Sequence, residues 1–293
     1  MMNFILGTDW WTDCDDAVAI RILMRAHLRG DICVRGIAVN ACMPVSISSL
    51  DAFLRSEGVS DMPLGLDSDA TDFGGRPPYQ QRLSTLYPDL RRNEDAENAV
   101  RLYRRLIAEC DGDLDIIEIG YPQVLAAVLL SEGDDISPLS GVDLVREKVR
   151  RLWVMAGKWN ENPGRENNFT RGPRSRLGGS QLCALCPVPI TFLGWEAGRT
   201  VISGGELSSD DVLRAVLRDH GSEKGRYSWD PMLVQLAITG DEKRAGYSAV
   251  RGYAEVDAET GENSFREAPD GPHGYVVKNM PDEWYVKQIN DAI

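Results

Sequence analysis

Strand-length apolar runs alternate with amphipathic stretches along most of this chain, and few architectures accept that alternation. Residues 3–8, 32–39, 114–119, 151–155 and 188–192 predict strands, while 15–28, 46–56, 96–109 and 122–130 space their apolar residues as helices do. Parallel neighbours in a sheet need a long crossover, and a helix supplies one. The pattern therefore predicts an α/β fold, a Rossmann-like open, mainly parallel sheet with helices on both faces. No Gly/Ser-rich or Pro-rich linker and no fixed-period repeat divides it, so residues 1–293 read as a single domain. The Gly-, Pro- and Asp-rich stretch 67–92 predicts a long functional loop or a weakly ordered insertion. Strand-like alternation within 247–272 predicts a hairpin instead of another βα unit.

Hydrophobic residues make up 43% of the chain and charged residues 26%, which suits a folded, water-soluble protein and neither a membrane protein nor a disordered one. A formal net charge of −13 without a basic patch argues against nucleic acid as partner and for a neutral or cationic small ligand. Six cysteines are scattered through a sequence with no secretory leader before Asp9, which predicts reduced thiols and a cytoplasmic setting. Cys183 and Cys186 have zinc-like spacing but no second pair, so they read as buried thiols.

Four aspartates, Asp9, Asp13, Asp15 and Asp16, follow directly on the apolar stretch Phe4-Ile5-Leu6. At the end of a buried strand such carboxylates repel one another unless they are protonated, hydrated or bridged by a cation. Capping and the helix dipole account for acids at the start of the following helix, and Asp13 is assigned to that cap and to supporting the site residues from behind. They do not account for Asp9 or for the pair Asp15-Asp16, and an oxygen-liganded hard cation, Ca²⁺ above all, explains these together. In parallel sheets ligands bind beyond the carboxyl ends of the strands, where this run lies.

The run Thr8-Asp9-x-x-x-Asp13-x-Asp15-Asp16-Ala17 resembles the N-terminal signature of the inosine-uridine nucleoside hydrolase family. Four further segments match in the same order: Ile37-Ala38-Val39-Asn40; Ile117-Glu118-Ile119-Gly120-Tyr121-Pro122; Met155-Ala156-Gly157 with Arg165-Glu166-Asn167-Asn168-Phe169; and Tyr227-Ser228-Trp229-Asp230-Pro231. Two positions depart from the family pattern: Asn167 stands where an aromatic is usual, and Trp229 stands where the family has the histidine of a His-Asp-Pro element.

The resemblance implies the nucleoside hydrolase fold and a calcium-dependent cleavage of the N-glycosidic bond of a ribonucleoside or related N-riboside. It implies Ca²⁺ held by Asp9, Asp16, Asp230 and the carbonyl of Ile119, with Asp9 also taking the proton of the water that attacks C1′. Asp15, Asn40, Glu166 and Asn168 would bind the ribose hydroxyls, and Met155 would pack against the sugar. A homodimer or homotetramer is implied as well. Because the family histidine assists departure of the base, its replacement leaves His220 and His273 as candidate acids, His27 being expected to point away. Trp10, Trp11 and Trp229 suggest an aromatic wall for a flat aglycone. A non-catalytic ribose- or nucleoside-binding relative that keeps the calcium site is the alternative that Trp229 motivates.

Overall fold

The computed structural model describes residues 1–75 and 78–293. Its strands are β1 (Met2–Thr8), β2 (Ile32–Val39), β3 (Leu64–Leu66), β4 (Glu97–Asn98), β5 (Leu114–Glu118), β6 (Val149–Met155), β7 (Ile190–Leu193), β8 (Ile202–Ser203), β9 (Arg226–Tyr227), β10 (Tyr247–Val256), β11 (Asn263–Glu267) and β12 (His273–Lys278). Ten of them form one sheet in the order β11-β10-β12-β7-β6-β5-β1-β2-β3-β4; β8 and β9 pair separately. From β12 to β4 every neighbouring pair is parallel, and β10 runs antiparallel to both β11 and β12. The predicted open α/β sheet is thus the one observed, with the hairpin at its edge.

Side chains alternate across the central strands, and each face acquires its own core. Phe4 and Leu6 of β1 pack with Ile37, Val39, Ile117 and Trp153 beneath the helices Asp15–Leu28, Ser46–Ser56 and Trp229–Thr239. Ile5 faces the other way, with Ala38, Ile116, Leu152 and Phe192, beneath the helices Ala99–Ala108, Gln123–Leu130 and Pro173–Leu185. β1 lies between β2 and β5, where the chain, having run outward from β1 through β2, β3 and β4, returns to the opposite side. Such a reversal leaves a crevice at the carboxyl ends of the strands.

Residues 67–92 run between β3 and β4 as irregular chain around one short helix, Gln80–Leu83, with residues 76 and 77 outside the described residues. The stretch is tied to the segments that follow β1 and β5. Phe73 stacks on Tyr121 with ring centroids 3.9 Å apart, Gln80 Nε2 donates to the carbonyls of Trp10 (3.0 Å) and Trp11 (2.6 Å), and the Tyr79 hydroxyl donates to the Asp13 carbonyl (2.8 Å).

Candidate active site

A cleft at the carboxyl ends of β1, β5 and β6 is lined by Asp9, Asp15, Asp16, Ile119, Met155, Glu166, Asn168, Trp229 and Asp230. Of the residues expected to hold the ion or the ribose, Asn40 alone stands behind it. Buried at the end of β2, Asn40 donates from Nδ2 to Glu118 Oε1 (2.8 Å) and accepts from the Tyr121 N–H at Oδ1 (3.0 Å). Its amide therefore braces the turn after β5.

The acid run is bent into the cleft by an unusual backbone. Trp10 has φ 47°, a left-handed conformation rare for so bulky a residue and costly unless its surroundings enforce it. They do so on every side. The Trp10 N–H donates to Thr8 Oγ1 (3.1 Å), its carbonyl accepts from Gln80, and its indole, fully buried, donates to Ser49 Oγ (2.8 Å) against Phe53 and Tyr79. Trp10 is thus a core residue, which corrects its expected place in an aromatic wall. Trp11 is also buried, with Ala41, Met43, Phe73 and Tyr121, and its indole donates to the Gly74 carbonyl. Of the three tryptophans only Trp229 lines the cleft, joined there by Trp195, a residue not singled out from the sequence.

Burial pushes Asp9 up to about 8, with the charges of Asp13, Asp15 and Glu118 adding to the rise and the Trp11 N–H (3.1 Å) opposing it. Asp15, Asp16 and Asp230 are only 2–4% exposed and are likewise held well above the ordinary carboxylate range by burial and by one another. A carboxylate oxygen from each of these three lies within 4.8 Å of the others. Among the described residues no basic side chain pairs with Asp9, Asp15, Asp16 or Asp230, and the Ile119 carbonyl accepts no hydrogen bond. An all-oxygen donor set with uncompensated charge fits a hard divalent cation.

Asp13 has another role than the expected helix cap. The residue at the cap is Cys14, which makes no side-chain capping bond. Asp13 instead takes the Arg226 guanidinium in a two-point ion pair, Nε to Oδ1 at 2.7 Å and Nη2 to Oδ2, and this pair holds it below the usual carboxylate range despite burial. The far wall is organised by Glu166, which accepts the N–H groups of Gly157 (3.0 Å) and Asn168 (2.8 Å), while Asn168 Nδ2 donates to the Met155 carbonyl (2.8 Å). Burial still pushes Glu166 up to about 7.

None of the three histidines lines the cleft. His27 Nδ1 accepts from the Val34 N–H near the far end of its helix. His273 is paired with Ile190, the first residue of β7, and so lies at the opposite edge of the sheet from the site. His220 is nearest, with Nε2 3.8 Å from Asp13 Oδ1, but it stands behind that carboxylate and shares a hydrogen bond with Ser222 Oγ (2.8 Å). Trp229 donates its indole N–H to the Trp195 carbonyl (2.7 Å).

Glu118 escaped the sequence reading. Its carboxyl fills the space that Gly7 leaves on β1, where an added Cβ would lie 2.6 Å from Oε1, and Oε1 accepts from Asn40 and from the Gly120 N–H (3.1 Å). Glu118 faces Gly7 across the β1–β5 pair, a pairing the sequence does not give, so no signal in the sequence pointed to it. Arg171 and Arg226, which also line the cleft, carried none.

No family model and no curated protein matches the chain in sequence. Among solved structures it is similar to a plant nucleoside hydrolase (TM-score 0.73, 15% identity, covering 99% of this chain and 98% of that one). The inosine-uridine preferring nucleoside hydrolase from Bacillus anthracis is also similar (TM-score 0.69, 14% identity, 100% of both chains). So is the type III effector protein XopQ, solved as a complex with adenosine diphosphate ribose (TM-score 0.66, 13% identity, 99% and 92%). The chain has the nucleoside hydrolase fold.

Proposed function

We propose that this protein is a calcium-dependent N-ribohydrolase that releases ribose and a free base from a nucleoside or related N-riboside. The observation that carries the proposal is the meeting of Asp9, Asp15, Asp16, Asp230 and Ile119 with Glu166, Asn168 and Met155 in one cleft at a strand-end crevice. Asp9, Asp16, Asp230 and the Ile119 carbonyl would hold the ion. A calcium ion there would keep the carboxylates ionised together and acidify the attacking water. Asp9, which lines the cleft beside the place proposed for the ion, would accept that water's proton as the oxygen bonds to C1′.

Asp15, Glu166 and Asn168 would hold the ribose hydroxyls, Met155 would pack on the sugar, and Trp229 would flank the aglycone. Asn40 would act on the ribose side through the turn it braces. A ring of acids around the sugar favours the oxocarbenium-like charge of the transition state. By the same resemblance the protein would assemble as a homodimer or homotetramer. Asp9→Ala is expected to lower ribose release by about 10²- to 10⁴-fold, the usual worth of a general base; full activity in that variant would refute its role.

A second reading, a ribose- or nucleoside-binding protein without turnover, is favoured by one observation: the indole of Trp229 spends its N–H on Trp195 and has no proton to give. Calorimetric binding of nucleosides with no base released over long incubation would support this reading, and turnover of any nucleoside would exclude it.

A further inference from the structure

If ribose occupies the acid floor, the aglycone falls to the part of the cleft lined by Thr12, Asp13, Arg171, Trp195, Arg226 and Trp229. Nothing in that set delivers a proton at neutral pH. Asp13 is ionised in its pair with Arg226, the Trp229 N–H is spent on Trp195, and His220 stands behind Asp13. What the wall does hold is a cation fixed in place. Arg226 is anchored by Nε and Nη2 on Asp13, lies over the rings of Tyr227 (5.0 Å) and Trp229 (5.7 Å), and keeps Nη1 without a hydrogen-bond partner among the described residues. Arg171, by contrast, sits exposed at the rim and is tied to the carbonyls of Phe73 and Gly74.

We propose, building on the N-ribohydrolase reading, that Arg226 is the leaving-group residue of this site: the aglycone departs unprotonated, as an anion, against the Arg226 guanidinium. The water oxygen bonds to C1′, the C1′–N electron pair leaves on the aglycone nitrogen, the water's proton passes to Asp9, and the released anion takes a proton from solvent. A guanidinium suits this task because it stays charged throughout and offers planar donors to a planar anion. The substrates so favoured are ribosides whose free aglycone is a comparatively strong N–H or O–H acid.

The test measures kcat/KM with calcium present for uridine, inosine and a series of ring-substituted aryl β-D-ribofuranosides, 4-nitrophenyl among them, in wild type and Arg226→Gln. The variant is expected to lose about 10²-fold on the nucleosides, as for loss of one preorganised charge-stabilising group, and less than about threefold on the 4-nitrophenyl riboside, whose leaving group needs little help. Equal losses across the series would overturn the proposal and assign Arg226 a structural role. Wild type alone supplies an independent arm should the variant fold poorly. Its kcat/KM is expected to rise at least about fivefold for each unit by which the leaving group becomes more acidic, and a flat series, the mark of a protonated leaving group, would overturn the proposal. If wild type cleaves none of these compounds, the N-ribohydrolase reading itself falls; if it cleaves them with a flat series or equal losses, only the role of Arg226 does.

Discussion

Gly120 shows how narrowly single residues define this site. Its φ is not in the left-handed region, so no turn geometry demands glycine; proximity does. A Cβ there would run into the Asp9 nitrogen and lie 2.6 Å from Asn40 Oδ1, because the turn after β5 is pressed against the end of β1. Gly120→Ala is expected to cost about 1–3 kcal/mol, as other forced insertions into packed sites do, and to weaken calcium binding by moving Ile119 away from Asp9. Urea denaturation and calcium calorimetry check both effects. At this scale the sequence was legible where chemistry is contiguous or carried by a motif: Asp9, Asp15 and Asp16 lie in one run, and Ile119, Glu166 and Asp230 lie in segments that resemble a family signature and line the same cleft. It was illegible where pairing across the fold sets the role. Asp13 looks like a helix cap until Arg226, more than two hundred residues later, is folded against it. Trp10 looks like a cleft residue until its backbone turns it inward.

Among elements, the long parallel strands and their crossover helices were readable because each buries one stripe or both faces, and burial writes a period into the sequence. β2 and the helices Asp15–Leu28 and Ser46–Ser56 lie where their periodicity predicts. The two- and three-residue strands β3, β4, β8 and β9 are too short to show any period. The helix Pro173–Leu185 was obscured for a different reason. Gly178 and Gly179 interrupt its pattern, and they are there for close packing: a Cβ on Gly178 would lie 2.6 Å from Gln123 Cα in the neighbouring helix, and one on Gly179 would lie 2.7 Å from the Phe169 ring. Tertiary contact overrides helix propensity at both positions.

Taken whole, the molecule places mutually repelling carboxyls at the centre of its sheet, and stability must register their protonation. In the unfolded chain these acids titrate near about 4. Folded and free of metal, Asp9 and Glu118 rise to about 8, and Asp15, Asp16 and Asp230 are raised too. Between those limits the folded state holds more protons than the unfolded one. The stabilisation is therefore complete below pH 4 and is lost as pH climbs toward 8. In a chelator the melting temperature should fall across that window once other titrations are subtracted. Calcium, which binds ionised carboxylates, should raise it more at pH 8 than at pH 6, and at a hundred times its dissociation constant the gain is about 2.7 kcal/mol. Scanning calorimetry at the two pH values, with and without calcium, reads this directly; equal calcium shifts would contradict the assignment of the acid cluster to the ion. Among the described residues no helix is long and apolar enough to cross a membrane.

On the function proposed above, the acid cluster at the end of β1 serves to hydrolyse N-ribosides with calcium. Ribose release from a broad panel of purine, pyrimidine and pyridine nucleosides, measured in calcium and again after chelation, tests it most directly. Turnover of at least one nucleoside is expected, stopping on chelation and returning when calcium is restored. Turnover indifferent to the chelator, or nucleoside binding without any ribose released, would contradict it.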